Sequence, residues 1–504
     1  MRTVRNSFFV TVLGLVVAMP AAWAQQQSQD QSDQPAQPAQ PVQPIPALRS
    51  PLASAAGNGD SQTSDQDSQP LSPDTRPLAG AQDLSLGSPT GTHSYWEPQA
   101  VVTSTFDSNP LITSGGGGVT VWTSFLGGIE VHRNSENSNL ILSYLGGGSI
   151  SNSGAAGNAV FQQFGLVEQL AWGRSTITFF DTLSYLPESA FGFAGATGVP
   201  LPGGGTVGLQ NPFVPEQGIL TAQSQRIANT FIAEDQIQLT PRSSLTFLGG
   251  YNLLHYFGTN LLNADGFMFQ GGYNYLITRE DTISLFYRFN EFDYSNFHQS
   301  ISNNSVQASY GRRVTGRLAL RVGGGPSFSN FQTPITTSGS SGTGSGTTTG
   351  PTSQVYFAVS AGLIYQAERT GFTFFYDRGI GGGSGVLAGS VSNFLSGSAT
   401  RQFSQKVQGG LNFGYSRNSG LGIGIITPTD QTFNYTYVGA NLSRLWGRST
   451  TLSLSYQLQY QNSSIPPCVG AGCGTNCTGV ACSTSFVRHA VFLSLNWKTQ
   501  PLAF

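Results

Sequence analysis

The sequence carries its four cysteines in one short stretch near its end, and their spacing decides what chemistry they could do. Cys468, Cys473, Cys477 and Cys482 are the only cysteines, and no two of them form a Cys-x-x-Cys pair. Zinc sites commonly use such pairs, so we expect no metal ion and no other cofactor here. An even number of cysteines in an exported chain favours disulfides. The sequence therefore predicts two bridges, with their pairing open among three connectivities.

A second group of residues could act on solutes through charge. Glu188 and Glu216 are the only charged residues of a long and otherwise apolar connection at 187–221. Further charges lie on the polar, lumen-facing side of the predicted strands: Arg288, Arg313, Arg321 and Asp377. Arg378 would join them if a β-bulge turned its side chain inward. Acid facing base across a narrow, water-filled passage would order water and favour polar solutes over lipids. The alternative is that these charges only neutralise one another.

Catalysis finds little support in the sequence. The histidines are His93, His132, His255, His298 and His489, and their spacing does not suggest a metal site. There is no GxxxxGK[ST] phosphate loop, no HExxH and no EF-hand loop. We therefore predict no enzyme activity. A net charge of −2 gives the chain no overall attraction for nucleic acid, so nucleic acid is not expected as a partner.

The N-terminal part indicates export. Arg2 and Arg5 precede an apolar run, and the small residues Ala22 and Ala24 follow it on either side of Trp23, so residues 1–24 are predicted to be a secretory signal peptide. Residues 25–92 are rich in Gln, Pro and Ser and hold few large apolar side chains, which predicts a disordered periplasmic linker. The linker is either a plain tether or the binding segment for a periplasmic partner.

Residues 93–504 have the pattern of a membrane barrel. From Leu452 to Tyr460 apolar and polar residues alternate without a break, which is the period of a β-strand. Charged residues make up only 10% of the chain, and no further apolar run is long enough for a membrane-spanning helix. Closed barrels are the other structure that satisfies every backbone group in lipid. The sequence therefore favours a barrel.

The connections give the barrel a direction. Short turns built around Arg alternate with long loops rich in Gly and Ser, and the turn string Trp-Gly-Arg-Ser-Thr occurs twice, at 172–176 and 446–450. In bacterial barrels the short turns lie in the periplasm and the long loops outside. We predict an all-β fold: a transmembrane antiparallel up-and-down β-barrel of about 18 strands in the outer membrane of a Gram-negative bacterium. Sixteen strands is the alternative, because 391–403 is a weak strand.

Three acids depart from this pattern. Glu168, Asp181 and Asp235 fall on the apolar parity of the fourth, fifth and sixth strands, where they would face lipid at a cost in free energy. Either β-bulges turn them inward, or this side of the barrel contacts another subunit.

The layout resembles that of bacterial outer-membrane porins in two respects. The third outer loop is the longest, and in porins that loop folds into the lumen and narrows it. Phe106-Asp-Ser-Asn-Pro-Leu111, at the end of the first strand, is similar to the aromatic-acid-Asn opening of β-barrel porin families. The resemblance implies passive diffusion of small polar solutes through a lumen narrowed by loop 187–221, and a homotrimer with its contact near Glu168, Asp181 and Asp235.

Two other functions stay open on the sequence. One is a barrel for export or anchoring of surface polysaccharide, and the other is a structural or adhesive outer-membrane protein that uses its outer loops. In each case we expect outer-membrane lipid as the surroundings. The barrel-assembly machinery is a further expected partner, because the terminal aromatic Phe504 resembles the signal that it recognises.

Overall fold

The structure, a computed structural model, describes the chain from residue 94 onward with several gaps. The described ranges are 94–109, 118–135, 137–152, 159–187, 225–257, 262–294, 299–332, 352–381, 387, 389–421, 431–464 and 485–503. The predicted signal peptide, the predicted linker, the four cysteines and the acids Glu188 and Glu216 lie outside the described residues.

The described chain consists of strands. Eighteen are long, with 12 to 17 residues each, and a two-residue strand follows them. In chain order, β1 to β19 are Tyr95–Asp107, Thr120–Asn134, Ser138–Ser151, Ala159–Trp172, Ser175–Pro187, Gln225–Thr240, Ser243–Tyr256, Ala264–Leu276, Asp281–Tyr294, Gln299–Thr315, Leu318–Gln332, Thr352–Gln366, Thr370–Gly381, Ser390–Ser404, Val407–Gly420, Thr432–Trp446, Thr450–Ser463, Phe486–Lys498 and Leu502–Ala503.

The long strands close into a barrel. Each pairs antiparallel with its neighbours in the chain, and β18 pairs with β1 from Lys498 opposite Gln99 to Ala490 opposite Asp107. The short β19 extends this junction beside the start of β1. The predicted antiparallel barrel of 18 strands is confirmed. The weak strand at 391–403 is present as Ser390–Ser404 and pairs on both sides.

The two faces of the strands differ in chemistry. On β9 the outward residues Ile283 and Leu285 are 45% and 57% exposed, whereas the inward residues Ser284 and Asn290 are 1% and 3% exposed. Successive side chains of a strand point to opposite faces, so this alternation gives an apolar outside and a largely polar inside. Among the described residues there is no helix long and apolar enough to cross a membrane, a finding that has no bearing on strands.

The two ends of the barrel differ in their connections. At one end eight turns of two to four residues join consecutive strands, and the other end carries the longer connections. In both Trp-Gly-Arg-Ser-Thr turns the glycine adopts a positive φ, 60° at Gly173 and 80° at Gly447, where a side chain would be strained. The end with the short turns is the periplasmic end of such barrels.

Candidate functional site

Three charged side chains lie on the lumen face of alternate strands: Arg288 on β9, Arg321 on β11 and Asp377 on β13. The register places them inward, because Asp377 lies opposite Ser360, and Arg288 lies opposite Ser305. Asp377 interacts electrostatically with both guanidinium groups. The sequence predicts all three on the lumen side, and the structure places them there. Two cations and one anion leave this trio with one net positive charge.

The Arg288 side chain is held by two neighbours. Its Nε donates a hydrogen bond of 2.8 Å to Oε1 of Gln270 on β8. Its guanidinium carbon lies 5.6 Å from the ring centroid of Phe286, two residues earlier on the same face of β9. A cation over an aromatic ring gains electrostatic stabilisation from the ring. Arg288 is therefore oriented by the wall rather than free to sweep the lumen.

Small residues leave space around the trio. A small cavity of about 20 Å³ is bordered by Arg288 and Asp377, by the polar side chains Asn290 and Asn303, and by small wall residues such as Ser305. Asn290 is 3% exposed, and its Oδ1 has no hydrogen-bond partner within the protein. A cavity of this size and polarity can hold a water molecule, which would supply that partner.

Glycines lie on the inward face of β11 close to Arg321 in sequence. At Gly325 a Cβ would collide with the carbonyl oxygen of Val306 on β10, so the two backbones approach too closely for any larger residue. Gly323 lies on the same inward face, opposite Ser309 and Ser360. The inner wall beside Arg321 therefore consists of small residues.

The other two predicted charges of this group lie apart from the trio. Arg313 is half-buried near the periplasmic end of β10, opposite the inward-facing Ala319, and a register shift follows it. Arg378 is exposed and lies opposite Val359 and Asn393, on the face of β13 away from Asp377. No register shift occurs in these pairings at Arg378, so the β-bulge proposed for it is absent from the described strand.

The outer end of the lumen is apolar, which the sequence analysis missed. Fully buried Phe292, Ile301 and Phe331 from neighbouring strands form one cluster with other inward residues. Leu387, in the connection between β13 and β14, is also fully buried. Gly389 in the same connection has a φ of 79°, and a Cβ on it would collide with Ile301. This connection therefore packs tightly against the inner wall of β10.

A buried tyrosine at the outer end of the lumen also holds the connection between β13 and β14 in place. Tyr294, the last residue of β9, is 0% exposed and is hydrogen-bonded to the backbone of Gly389. A buried phenol needs such a partner, since an unsatisfied hydroxyl costs free energy. One sequence feature could have predicted this apolar outer end: Phe292 and Tyr294 occupy positions of β9 whose side chains point into the lumen.

A charged cluster lies at the periplasmic end of the lumen. Nζ of Lys498 is 3.5 Å from Oε2 of Glu97 and 3.6 Å from Oε2 of Glu130. Nε2 of His132 is 2.5 Å from Oε1 of Glu130, and the His132 ring stacks on Tyr95 at 4.4 Å. These groups join β1, β2 and β18, and no sequence pattern had brought them together.

The three acids predicted on the apolar parity do face outward. The register runs through them without a shift, with Glu168 opposite Phe179 and Asp235 opposite Ile177. The explanation by β-bulges is therefore wrong for these three acids, and the one register shift of β6 lies nearer the turn, between Gln238 and Thr240. Asp181 accepts a hydrogen bond of 2.7 Å from Nδ2 of Asn229, which also faces outward.

A closed antiparallel barrel with an apolar outer surface and a polar, charged lumen is the architecture of outer-membrane barrels. The chain is an outer-membrane β-barrel. The predicted outer-membrane localisation is confirmed with the fold.

No family model and no curated protein sequence matches the chain. Among solved structures, it is similar to OpdK of Pseudomonas aeruginosa with vanillate, at 10% identity and a TM-score of 0.40, covering 80% of this chain and 99% of OpdK. OccK2 (OpdF) of the same organism with glucuronate has 10% identity and a TM-score of 0.40, with 81% and 98% covered. OccAB4 of Acinetobacter baumannii has 7% identity and a TM-score of 0.38, with 81% and 99% covered. Similarity this low establishes neither a family nor a ligand.

Proposed function

We propose that this barrel is a channel for the passive diffusion of small polar solutes across the outer membrane. The observation that carries the proposal is the charged trio of Arg288, Arg321 and Asp377 on the lumen face, with amide and hydroxyl side chains around Arg288 and Asp377. Charges inside the barrel would be a costly way to fill a barrel that only anchors something. Charged side chains that line a water-containing passage would instead stay hydrated and could interact with solutes.

The lumen chemistry supports weak, reversible contacts with solutes. Its wall near the trio consists of amide and hydroxyl side chains, such as Asn290, Asn303 and Ser305, which bind by single neutral hydrogen bonds. A channel conducts when its sites attract a solute enough to admit it and weakly enough to release it. With a net charge of +1, the trio favours solutes that carry an anionic group.

We also propose that the third outer loop, residues 187–221, narrows this passage. Its apolar composition, with only Glu188 and Glu216 charged, supports a position inside the barrel rather than in water. Removal of residues 190–215 would then raise the single-channel conductance. An unchanged conductance would leave the narrowing to the apolar outer end around Leu387.

Planar-bilayer recording tests the channel and its charge preference together. We expect steady single-channel conductance from the full chain, and a reversal potential in a KCl gradient that indicates a preference for anions. Arg288→Gln combined with Arg321→Gln should move the reversal potential towards cations. Arg417→Gln is the matched control, because Arg417 is exposed on the outward face of β15. Folded protein that never conducts would refute the channel, and equal reversal potentials would refute the role of the trio.

A further inference from the structure

All Lys and Arg residues in the connections between strands lie in the short periplasmic turns. Seven of the eight short turns carry one Arg or Lys, and all seven side chains are exposed. We call this set the cation rim: Arg174, Arg242, Arg279, Arg317, Arg369, Lys406 and Arg448. The turn between β2 and β3 is the exception.

The opposite end has the reverse composition. The nine connections at the outer end, from 108–119 to 464–485, contain no Lys or Arg at all. Their charged residues are Glu188, Glu216 and Asp430. The connections at the two ends therefore carry opposite charge, positive at the periplasmic end and negative at the outer end.

Each cation of the rim lies just beyond the apolar belt. Two to four residues before it comes an exposed apolar side chain on the outward parity of the strand end: Trp172, Leu239, Ile277, Val314, Tyr365, Phe403 and Trp446. Four of these seven are aromatic, and aromatic residues in this position mark the boundary between hydrocarbon and headgroups. At about 3.3 Å per residue, the following cation reaches the level of the headgroups.

The rim has few partners of its own. Among the residues that the structure describes, Arg317 is the one member with an ion pair, 3.3 Å from Glu368. The two side chains of that pair are 58% and 84% exposed, so water and salt screen their attraction. The remaining guanidinium groups and the ammonium of Lys406 are open to an external anion.

We propose that the cation rim binds the phosphate groups of phospholipids in the periplasmic leaflet, with a preference for lipids of net negative charge. Arg and Lys near a membrane surface attract anionic lipids, and the planar guanidinium matches two phosphate oxygens at once. The rim cations occur once per hairpin from β4 to β17, about 10 Å apart for strands spaced about 4.8 Å. A ring of evenly spaced cations beside an apolar belt fits a shell of lipids.

The other candidate occupant is the chain's own segment 25–92, which contains seven Asp and two Arg. A single extended segment would contact only part of the cation rim, and its polar residues would not pack against the apolar side chain beside each cation. The regular pairing of anchor and cation around the barrel therefore favours lipid. The test below separates the two occupants.

Energy transfer from tryptophan to labelled lipid measures this preference directly. Four outward tryptophans lie at the periplasmic end, Trp96, Trp172, Trp446 and Trp497, with exposures of 38% to 82%. The full chain is inserted into phosphatidylcholine vesicles with a trace of dansyl-phosphatidylglycerol or of dansyl-phosphatidylcholine. We expect several-fold more transfer to the phosphatidylglycerol probe in low salt. The excess should largely vanish in about 0.5 M NaCl, because salt screens the attraction between the exposed cations and the anionic lipid.

Two double variants make the test specific. Arg174→Gln with Arg448→Gln removes the cations beside Trp172 and Trp446, and should remove most of the several-fold excess of transfer that these two tryptophans contribute. The matched control, Arg378→Gln with Arg417→Gln, removes two exposed outward cations elsewhere and should leave the excess unchanged.

Three results would overturn the proposal. One is equal transfer to both probes in the unaltered chain. Another is an equal loss in the rim variant and in the control variant. The third is a phosphatidylglycerol excess that emerges only when the seven Asp of segment 25–92 are changed to Asn, since that segment would then be the occupant. None of these results depends on whether the barrel conducts.

Discussion

Arg488 on β18 and Asp107 on β1 form a buried ion pair across the junction that closes the barrel. Nε and Nη2 of Arg488 are 2.8 Å and 2.5 Å from Oδ2 of Asp107, and the two side chains are 2% and 0% exposed. Nη1 donates to Oε1 of Gln459 at 3.2 Å, and the backbone N–H of Asn109 donates to Oδ1 of Asp107 at 2.9 Å. Buried charges are tolerated when they are paired and hydrogen-bonded in this way.

The same junction is connected at two further heights. At its centre the hydroxyl of Thr103 donates to Oγ of Ser494 at 2.9 Å, where both residues are buried. At the periplasmic end Lys498 lies 3.5 Å from Glu97. Among the long strands, β1 and β18 are the most distant pair in the sequence to become neighbours, so their association loses the most chain entropy. Polar contacts on the lumen side add to the backbone ladder there.

Asp107→Asn should therefore destabilise the barrel strongly. The substitution keeps the shape of the side chain and leaves the Arg488 charge buried without a counterion, a change that costs about 3–5 kcal/mol in buried pairs. Unfolding in guanidinium, followed by tryptophan fluorescence or by the shifted migration of unfolded barrels in gels, measures the loss.

Glu368→Gln is the matched control for this prediction. Glu368 also pairs with an arginine, 3.3 Å from Nη2 of Arg317, but in an exposed periplasmic turn. Its substitution should change the free energy of unfolding little, because exposed pairs are screened by water. An Asp107→Asn barrel as stable as this control would show that the buried pair does not stabilise the junction.

Of the ion pair between Arg488 and Asp107, the sequence alone pointed only to Asp107. Phe106-Asp-Ser-Asn-Pro-Leu111 was singled out as a motif, and Asp107 and Asn109 of that motif lie at the junction. Arg488 could not be assigned to it, because 381 residues separate the two partners and alternation predicts a face but not a neighbour across the closure. The number of strands was predictable, since each strand carries its own periodic signal.

Asp377→Asn should increase the preference for anions. The substitution raises the net charge of the trio with Arg288 and Arg321 from +1 to +2 without changing its size. The reversal potential in a KCl gradient should move further towards that of chloride, and small carboxylates should block the current more strongly. Ser309→Ala, on the same inward surface, is the control and should leave both properties unchanged. A shift towards cations would contradict the arrangement.

Sequence parity predicted the lumen position of this trio but not the apolar outer end. Arg288, Arg321 and Asp377 stand out because charged residues are rare on these strands. Phe292 and Tyr294 share the inward parity of Arg288, but apolar residues on that parity are ambiguous, since either lipid or tertiary packing can cover them. Packing against Leu387 and Gly389 depends on a connection whose path no periodicity encodes.

Gly389→Ala should widen the outer end of the lumen. At this position φ is 79°, and a Cβ would collide with Ile301 and approach Leu421 to 2.9 Å, so the connection must move away from the wall. We expect a higher single-channel conductance or more frequent opening, together with a modest loss of stability.

Gly173→Ala separates the two effects of that substitution. Gly173 also has a positive φ, 60°, but nothing lies within 4 Å of its Cβ position in the periplasmic turn. It should lose about 1–2 kcal/mol of stability from the left-handed backbone, as Gly389→Ala does, with no change in conductance. Equal conductance in the two variants would mean that the connection at Gly389 does not limit the passage.

Asp181→Leu tests the proposed subunit contact on β4, β5 and β6. If this face contacts another subunit in a homotrimer, loss of Asp181 leaves the polar Asn229 without its 2.7 Å partner and weakens the association. Native mass spectrometry in gentle detergent should then show fewer trimers and more monomers. Leu285→Ala, on the outward face of β9, is the control and should leave the distribution unchanged. A monomeric unaltered chain that becomes more stable on Asp181→Leu would instead place this acid against lipid, where removal of a charge lowers the free energy of the folded barrel.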